Sequence, residues 1–211
     1  MDKHIIGVYL SEAKAQCNFG TNAIKALNNV LPRLMNAGQD GNLDLRNTLH
    51  AEVFRTIHSF LTHASNVSRL FWPAQPKHRK NESDEAYAAR CAAIPKIIRG
   101  KILRTEVGLP DNEHALKSRK LRDHLDHFDE RLDQWQNESV QRNYVQDFIG
   151  PEGSIVGTDD GDMMRWFDPP VKKMRFRGEE FDLQALADAL VDVLEKVQAR
   201  EAQLRSWPNS R

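Results

Sequence analysis

The stretch LRDHLDHFDERLDQW, from Leu121 to Trp135, contains charged and histidine side chains that could act on a phosphate group. An arginine binds phosphate through bidentate, charge-assisted hydrogen bonds, and a histidine titrates close enough to neutral pH to move a proton. Arg122, Asp123 and His127 bring these groups close together in the sequence. With Asp123 to orient the other two, they could cleave a phosphodiester without a metal ion, because they combine an acid or base for the 2′-hydroxyl with a cation for the developing charge.

A single helix is expected to carry these three residues, because each residue of an α-helix advances by about 100°. One arc of that helix is apolar: Leu121, Leu125, Phe128, Leu132 and Trp135. We expect this arc to face the protein's own core and the polar trio to point away from it. The trio would then lie either on a plain solvated face or in a groove that another subunit completes. Like-charge pairs one turn apart, such as Asp129 and Asp133, destabilise a helix slightly and so favour a function for this face.

The order Arg122-Asp123-His124-Leu125-Asp126-His127 resembles the motif of the HEPN superfamily (higher eukaryotes and prokaryotes nucleotide-binding). That motif is an arginine followed by a polar residue, with a histidine after several intervening residues, on a late helix of an α-bundle. The following run HFDERLDQW is similar to bacterial HEPN-type sequences. The resemblance covers the helical part of the chain, and the glycine-rich segment after Asn137 departs from it.

The resemblance implies an antiparallel helical bundle that forms a homodimer and pairs two motifs as a metal-independent endoribonuclease. Such enzymes often belong to toxin-antitoxin or antiviral defence systems, so an antitoxin or a defence protein is a possible partner. His127 would be the general acid/base, Arg122 the ligand of the phosphate and the transition state, and Asp123 the orienting residue. The alternative is an inactive HEPN-like module that binds a protein or a nucleotide.

A basic cluster lies directly before the motif and could follow an RNA backbone. Its members are Lys117, Arg119 and Lys120, which we predict to bind the RNA substrate. Asp123, His124 and His127 could instead share a metal ion, since residues three and four apart on a helix lie on the same side. No other helix offers a Glu-x-x-His partner motif, so we predict neither a metal site nor a cofactor.

The bulk composition suits a single domain with a real core, because the 211 residues are 40% hydrophobic. The 30 basic and 30 acidic residues cancel, so nucleic-acid binding would depend on local patches. We expect Cys17 and Cys91 to be buried, reduced thiols. Neither a signal peptide nor an apolar run of about 20 residues is evident, which favours a cytoplasmic protein that does not bind membranes.

Helical periodicity dominates the chain up to Asn137 and returns near its end. We expect a first helical segment over residues 4–35, as one helix or two, and a second that ends at Trp72. A third would begin at the cap Ser83 and end at Gly108. A fourth would begin at Asp111 and carry the motif. The last helix would begin at Leu183, with Asp182 as its cap.

The glycine-rich segment between these helices predicts a small β element. The run MRFRGEEF alternates around an internal glycine and reads as a hairpin. The predicted fold class is therefore mainly α: an antiparallel bundle of four to six helices with a hairpin or three-stranded appendage near residues 150–181. We expect one domain over residues 1–211, with the β-rich insertion at about 140–181, before the C-terminal helix.

Overall fold

The computed structural model describes residues 1–39, 41–118 and 120–206, without the side chains of Leu121, Arg122 and Leu125. The chain is mainly helical with one small mixed sheet. The helices are α1 (Lys3–Gln39), α2 (Leu43–Phe71), α3 (Asp84–Ala92), α4 (Pro95–Val107), α5 (Lys120–Asp126), α6 (Phe128–Glu138) and α7 (Leu183–Ser206). The strands are β1 (Val145–Ile149), β2 (Met163–Asp168), β3 (Lys173–Phe176) and β4 (Glu179–Asp182). The prediction of a helical protein with a small β element is confirmed.

Several helix ends follow the local signals of the sequence. The Ser83 hydroxyl accepts a hydrogen bond from the Ala86 N–H at 3.2 Å, and Gly108 ends α4 with a φ of 68°. The expected third helix is nevertheless two helices, α3 and α4. Pro95 causes the break, because a proline disfavours helical backbone at the residue before it and fits the first turn of a new helix.

The fourth helix was predicted wrongly. Asp111 does not cap a helix, because its carboxylate forms an ion pair with Arg104 at 2.6 Å. Between Asp111 and Ser118, where the structure describes every residue, the backbone forms only a 3₁₀ turn, Ala115–Lys117. The backbone then leaves helical geometry at His127, where φ is −107° and ψ is 42°, so the motif lies on α5 and ends at the break before α6.

The four strands lie in the order β1-β2-β3-β4. β1 runs parallel to β2, and the other pairs are antiparallel. Arg177 and Gly178 join β3 to β4 with positive φ values of 47° and 83°, the geometry of a two-residue hairpin turn. This confirms the predicted hairpin. The sheet has one strand more than expected, because β1 begins before the predicted region.

The chain divides into two compact units. The first comprises the described residues of Met1–Thr21, His63–Ser118 and Ala189–Arg211. Its fully buried side chains include Leu10, Cys17, Val67, Phe71, Leu103, Val193 and Val197. Ion pairs Lys14–Glu201 (2.8 Å) and Arg200–Glu106 (2.6 Å) join α7 to α1 and α4.

The second unit comprises Asn22–Thr62 and the described residues of Arg119–Asp188, including the whole sheet. One face of this sheet packs on helices. The Arg165 guanidinium of β2 lies 5.7 Å from the ring centre of Phe54 in α2 and 5.1 Å from that of Phe128 in α6. Phe176 of β3 is buried and contacts Phe128 edge-on, at 6.1 Å between ring centres. The sheet of this unit therefore packs against α2 and α6.

Candidate functional site

The candidate site lies where α5 meets α6, at a bend that we call the elbow, residues 123–131. The His127 N–H still donates to the Asp123 carbonyl at 3.1 Å, and the His127 carbonyl accepts from the Arg131 N–H at 3.2 Å. The chain therefore bends at His127, while the N–H and the carbonyl of His127 itself keep helical hydrogen bonds. The imidazole is 56% exposed, and its Nδ1 lies 3.3 Å from Glu130 Oε1.

The structure places two of the three predicted catalytic residues in detail. Asp123 and His127 are both exposed and lie about one helical turn apart. The backbone of Arg122 belongs to α5, but its guanidinium lies outside the described side chains. A ligand that reaches the elbow can therefore meet an imidazole and a carboxylate together.

His124, the other histidine of the motif, points to the sheet. Its Nε2 lies 2.8 Å from Glu179 Oε2 of β4, and its Nδ1 accepts a hydrogen bond from Arg131 Nε at 3.1 Å. Because Nδ1 is an acceptor, the proton of the neutral ring lies on Nε2 and is donated to Glu179. The ring also stacks on Phe176, with 5.0 Å between centres and 10° between planes. Both ring nitrogens of His124 are thus used within the fold, in contrast to the exposed His127.

The bonds to Glu179 affect its titration. The hydrogen bond from His124, and next to it the bond from Lys120, lower the pKa of the Glu179 carboxyl. Lys120 Nζ lies 2.9 Å from Glu179 Oε1. The sequence did not predict this role of Glu179, because 55 residues separate it from His124. The only sequence signal for this contact was the predicted hairpin, whose register places Glu179 opposite Phe176.

The structure describes two of the three predicted RNA-binding residues. Lys120 belongs to α5, one turn before the elbow, and its side chain is 71% exposed. Lys117 belongs to the other compact unit and donates to Asn112 Oδ1 at 2.5 Å. Arg119 lies outside the described residues. Of the two described residues, Lys120 is therefore the one that lies in the unit that contains the elbow.

Comparison of the chain with protein-family models, with curated proteins and with solved structures returned no match. Among the described residues, no three His, Cys, Asp or Glu side chains are grouped as a metal site would require. Within the same ranges, no helix combines the length and the apolar character that crossing a membrane demands.

Proposed function

We propose that this protein is a metal-independent endoribonuclease of the HEPN type, with Arg122, Asp123 and His127 as its catalytic residues. The observation that carries the proposal is the difference between the two histidines of the motif. His124 uses both ring nitrogens within the fold, whereas His127 presents an exposed ring at the elbow, about one turn from Asp123. In this proposal His124 stabilises the fold and His127 acts in catalysis.

In this reaction the neutral His127 imidazole takes the proton of an RNA 2′-hydroxyl as the oxygen attacks the adjacent phosphorus. The bond from phosphorus to the 5′-oxygen breaks, which leaves a 2′,3′-cyclic phosphate and a 5′-hydroxyl. Arg122 stabilises the negative charge of the transition state, and Asp123 orients the arginine or the imidazole. The departing oxygen needs a proton, which the His127 of a second copy would supply in a homodimer.

The second candidate function is a non-enzymatic binding module with the same elbow, for a protein partner such as an antitoxin or a defence protein. Exposed carboxylates favour it. Asp129 and Glu130 begin α6 beside His127, and such groups repel phosphate but attract a basic protein segment. The ribonuclease is expected to cleave RNA, whereas the binding module is expected to leave it intact.

The test is cleavage of total RNA or tRNA by the purified protein in EDTA. We expect wild type to cleave and His127→Ala to cleave about 10²–10⁴-fold more slowly, with Arg122→Ala also strongly impaired. His58→Ala, which removes an exposed histidine of α2, is the matched control and should cleave like wild type. If neither wild type nor any variant cleaves, the binding module is favoured. If wild type and all variants cleave equally, the assigned residues are wrong.

Sedimentation of the same samples tests the paired site. We expect wild type to be a dimer at the concentrations at which it cleaves. A strict monomer that still cleaves would contradict the role of a second His127. His127→Ala should retain the mass of wild type, because the His127 side chain is exposed.

A further inference from the structure

A second polar site lies in the sheet-containing unit, at an open groove of about 420 Å³. We call it the α1–α2 groove. Its lining residues are Leu34, Met35, Gly38, Gln39, Arg46, His50 and Ile149. They come from the end of α1, the beginning of α2 and the last residue of β1. None of them belongs to the elbow or is used in the proposed ribonuclease reaction.

The polar side of the groove is cationic. Arg46 is exposed and, within the part of the chain that the structure describes, forms no ion pair. His50 lies one helical turn further along α2 and is partly buried. Burial lowers the pKa of His50, although the nearby Asp147 opposes this effect. At neutral pH the groove therefore offers one full positive charge and a neutral imidazole that can donate one hydrogen bond.

The charges behind the groove cancel each other. Asp147 and Arg165 are paired across β1 and β2, with Arg165 Nε 2.6 Å from Asp147 Oδ1 and Arg165 Nη2 3.1 Å from Asp147 Oδ2. Both side chains are only 22% exposed. Burial raises the pKa of Asp147, and Arg165 opposes that rise. This pair adds no net charge, so among the residues that line the groove the charge is that of Arg46.

The lining residues from α1 and β1 include three large apolar side chains. Met35 is 72% exposed, which is a large exposure for an apolar side chain, and Leu34 and Ile149 are partly buried beside it. A ligand that covered these side chains would gain hydrophobic free energy. An inorganic anion would leave this wall uncovered, and a neutral hydrocarbon would leave Arg46 unpaired. The complement of the groove is therefore a molecule with one anionic end and one apolar end.

We propose that the α1–α2 groove binds a small organic monoanion, a carboxylate with a short hydrocarbon body. Its carboxylate binds the Arg46 guanidinium and accepts a hydrogen bond from His50. Its hydrocarbon lies against Leu34, Met35 and Ile149. The volume falls within the range of about 300–1,000 Å³ that is usual for small-molecule sites. The proposal does not depend on ribonuclease activity.

The test uses octanoate as the probe and follows the amide signals of the full chain by NMR. We expect saturable shifts at Arg46, His50 and Ile149. Arg46→Gln should weaken octanoate binding at least tenfold, because it removes a charge-assisted hydrogen bond. Arg33→Gln is the matched control. It removes an exposed arginine of α1 that does not line the groove, and this variant should bind like wild type.

The apolar wall has its own pair of variants. Met35→Glu should weaken the binding of octanoate and of octanol, whereas Met35→Leu should preserve both. Arg46→Gln should leave octanol binding unchanged, because octanol has no charge. Shifts that do not saturate, or an equal loss with Arg33→Gln, would overturn the proposal. RNA cleavage by Arg46→Gln should match that of wild type, so failure of this site is distinguishable from failure of the elbow.

Discussion

His124 and Glu179 lie 2.8 Å apart, imidazole Nε2 to carboxylate Oε2, and this bond joins α5 to the last strand of the sheet. Arg131 of α6 reaches the other nitrogen of the same ring. One histidine therefore fixes both helices of the elbow on the sheet. The geometry around His127 depends on this link, although neither Glu179 nor Arg131 belongs to the motif.

The first prediction concerns the strength of this link. Glu179→Gln should lower the free energy of unfolding by about 0.5–1 kcal/mol, because charge-assisted bonds from His124 and Lys120 are lost while a side chain that is 39% exposed remains largely screened by water. Urea denaturation measures the change. Glu195→Gln, at an exposed position of α7, is the matched control and should have little effect. Equal losses in the two variants would contradict a specific role of the bond.

The second prediction is the pH dependence of this contribution. The folded state lowers the pKa of Glu179 below its ordinary value of 4.5, chiefly through the bond from His124 and then that from Lys120. Such a group stabilises the fold fully above the ordinary pKa and loses this effect as the pH falls through the lower, folded-state pKa. The stability difference between wild type and Glu179→Gln should therefore shrink at acid pH. Urea denaturation at a series of pH values tests this, and a difference that grew on acidification would contradict it.

The sequence predicted the features that depend on neighbouring residues. Ser83 and Asp182 accept hydrogen bonds from the first turns of α3 and α7, Gly108 ends α4, and Arg177-Gly178 forms the hairpin turn. Each of these outcomes is decided within a few residues, because caps and tight turns need particular side chains or positive φ values. The expectation of buried, free thiols at Cys17 and Cys91 is also confirmed.

The features that the sequence did not predict depend on distant residues. A period of 3.6 continues through the motif, so nothing local indicates that the backbone leaves helical geometry at His127. The parallel pairing of β1 with β2 connects strands that a loop of 13 residues separates, with Val145 opposite Met163. Sequence periodicity also cannot choose between His124 and His127, because that choice depends on Glu179.

The third prediction concerns a buried carboxylate that holds α6 to the loop before β2. Asp162 is 2% exposed, and its Oδ1 accepts hydrogen bonds from Trp135 Nε1 at 3.0 Å and from the Ser139 hydroxyl at 2.6 Å. Asp162→Ala should lower the free energy of unfolding by about 1–3 kcal/mol, because it removes a buried charged acceptor of the Ser139 hydroxyl and leaves Trp135 Nε1 with the Asn143 carbonyl as its remaining acceptor. Asp159→Ala, which changes an exposed aspartate with no capping bond, should have little effect. Urea denaturation followed by tryptophan fluorescence measures both, and equal stabilities would contradict the role of Asp162.

The fourth prediction concerns the thiol of Cys17, which is fully buried. Burial raises its pKa to about 12, so almost none of the reactive thiolate is present near pH 8. Iodoacetamide should leave Cys17 unmodified in the folded protein and modify it fully in denaturant, as mass spectrometry of peptides would report. Modification of folded Cys17 at the rate of an exposed cysteine would contradict the burial.

The fifth prediction compares two helical glycines. A Cβ on Gly100 of α4 would lie 2.5 Å from Pro73 Cδ and 2.7 Å from the Phe71 carbonyl oxygen, whereas a Cβ on Gly7 of α1 would meet nothing within 4 Å. Gly7→Ala should raise the free energy of unfolding by about 0.5–1 kcal/mol, because alanine loses less backbone entropy in a helix. Gly100→Ala should lower it by about 1–3 kcal/mol, because the new methyl group collides with backbone that cannot move away easily. Thermal and urea denaturation of both variants measure the contrast, and a Gly100→Ala protein as stable as Gly7→Ala would show that α4 does not pack closely on residues 71–73.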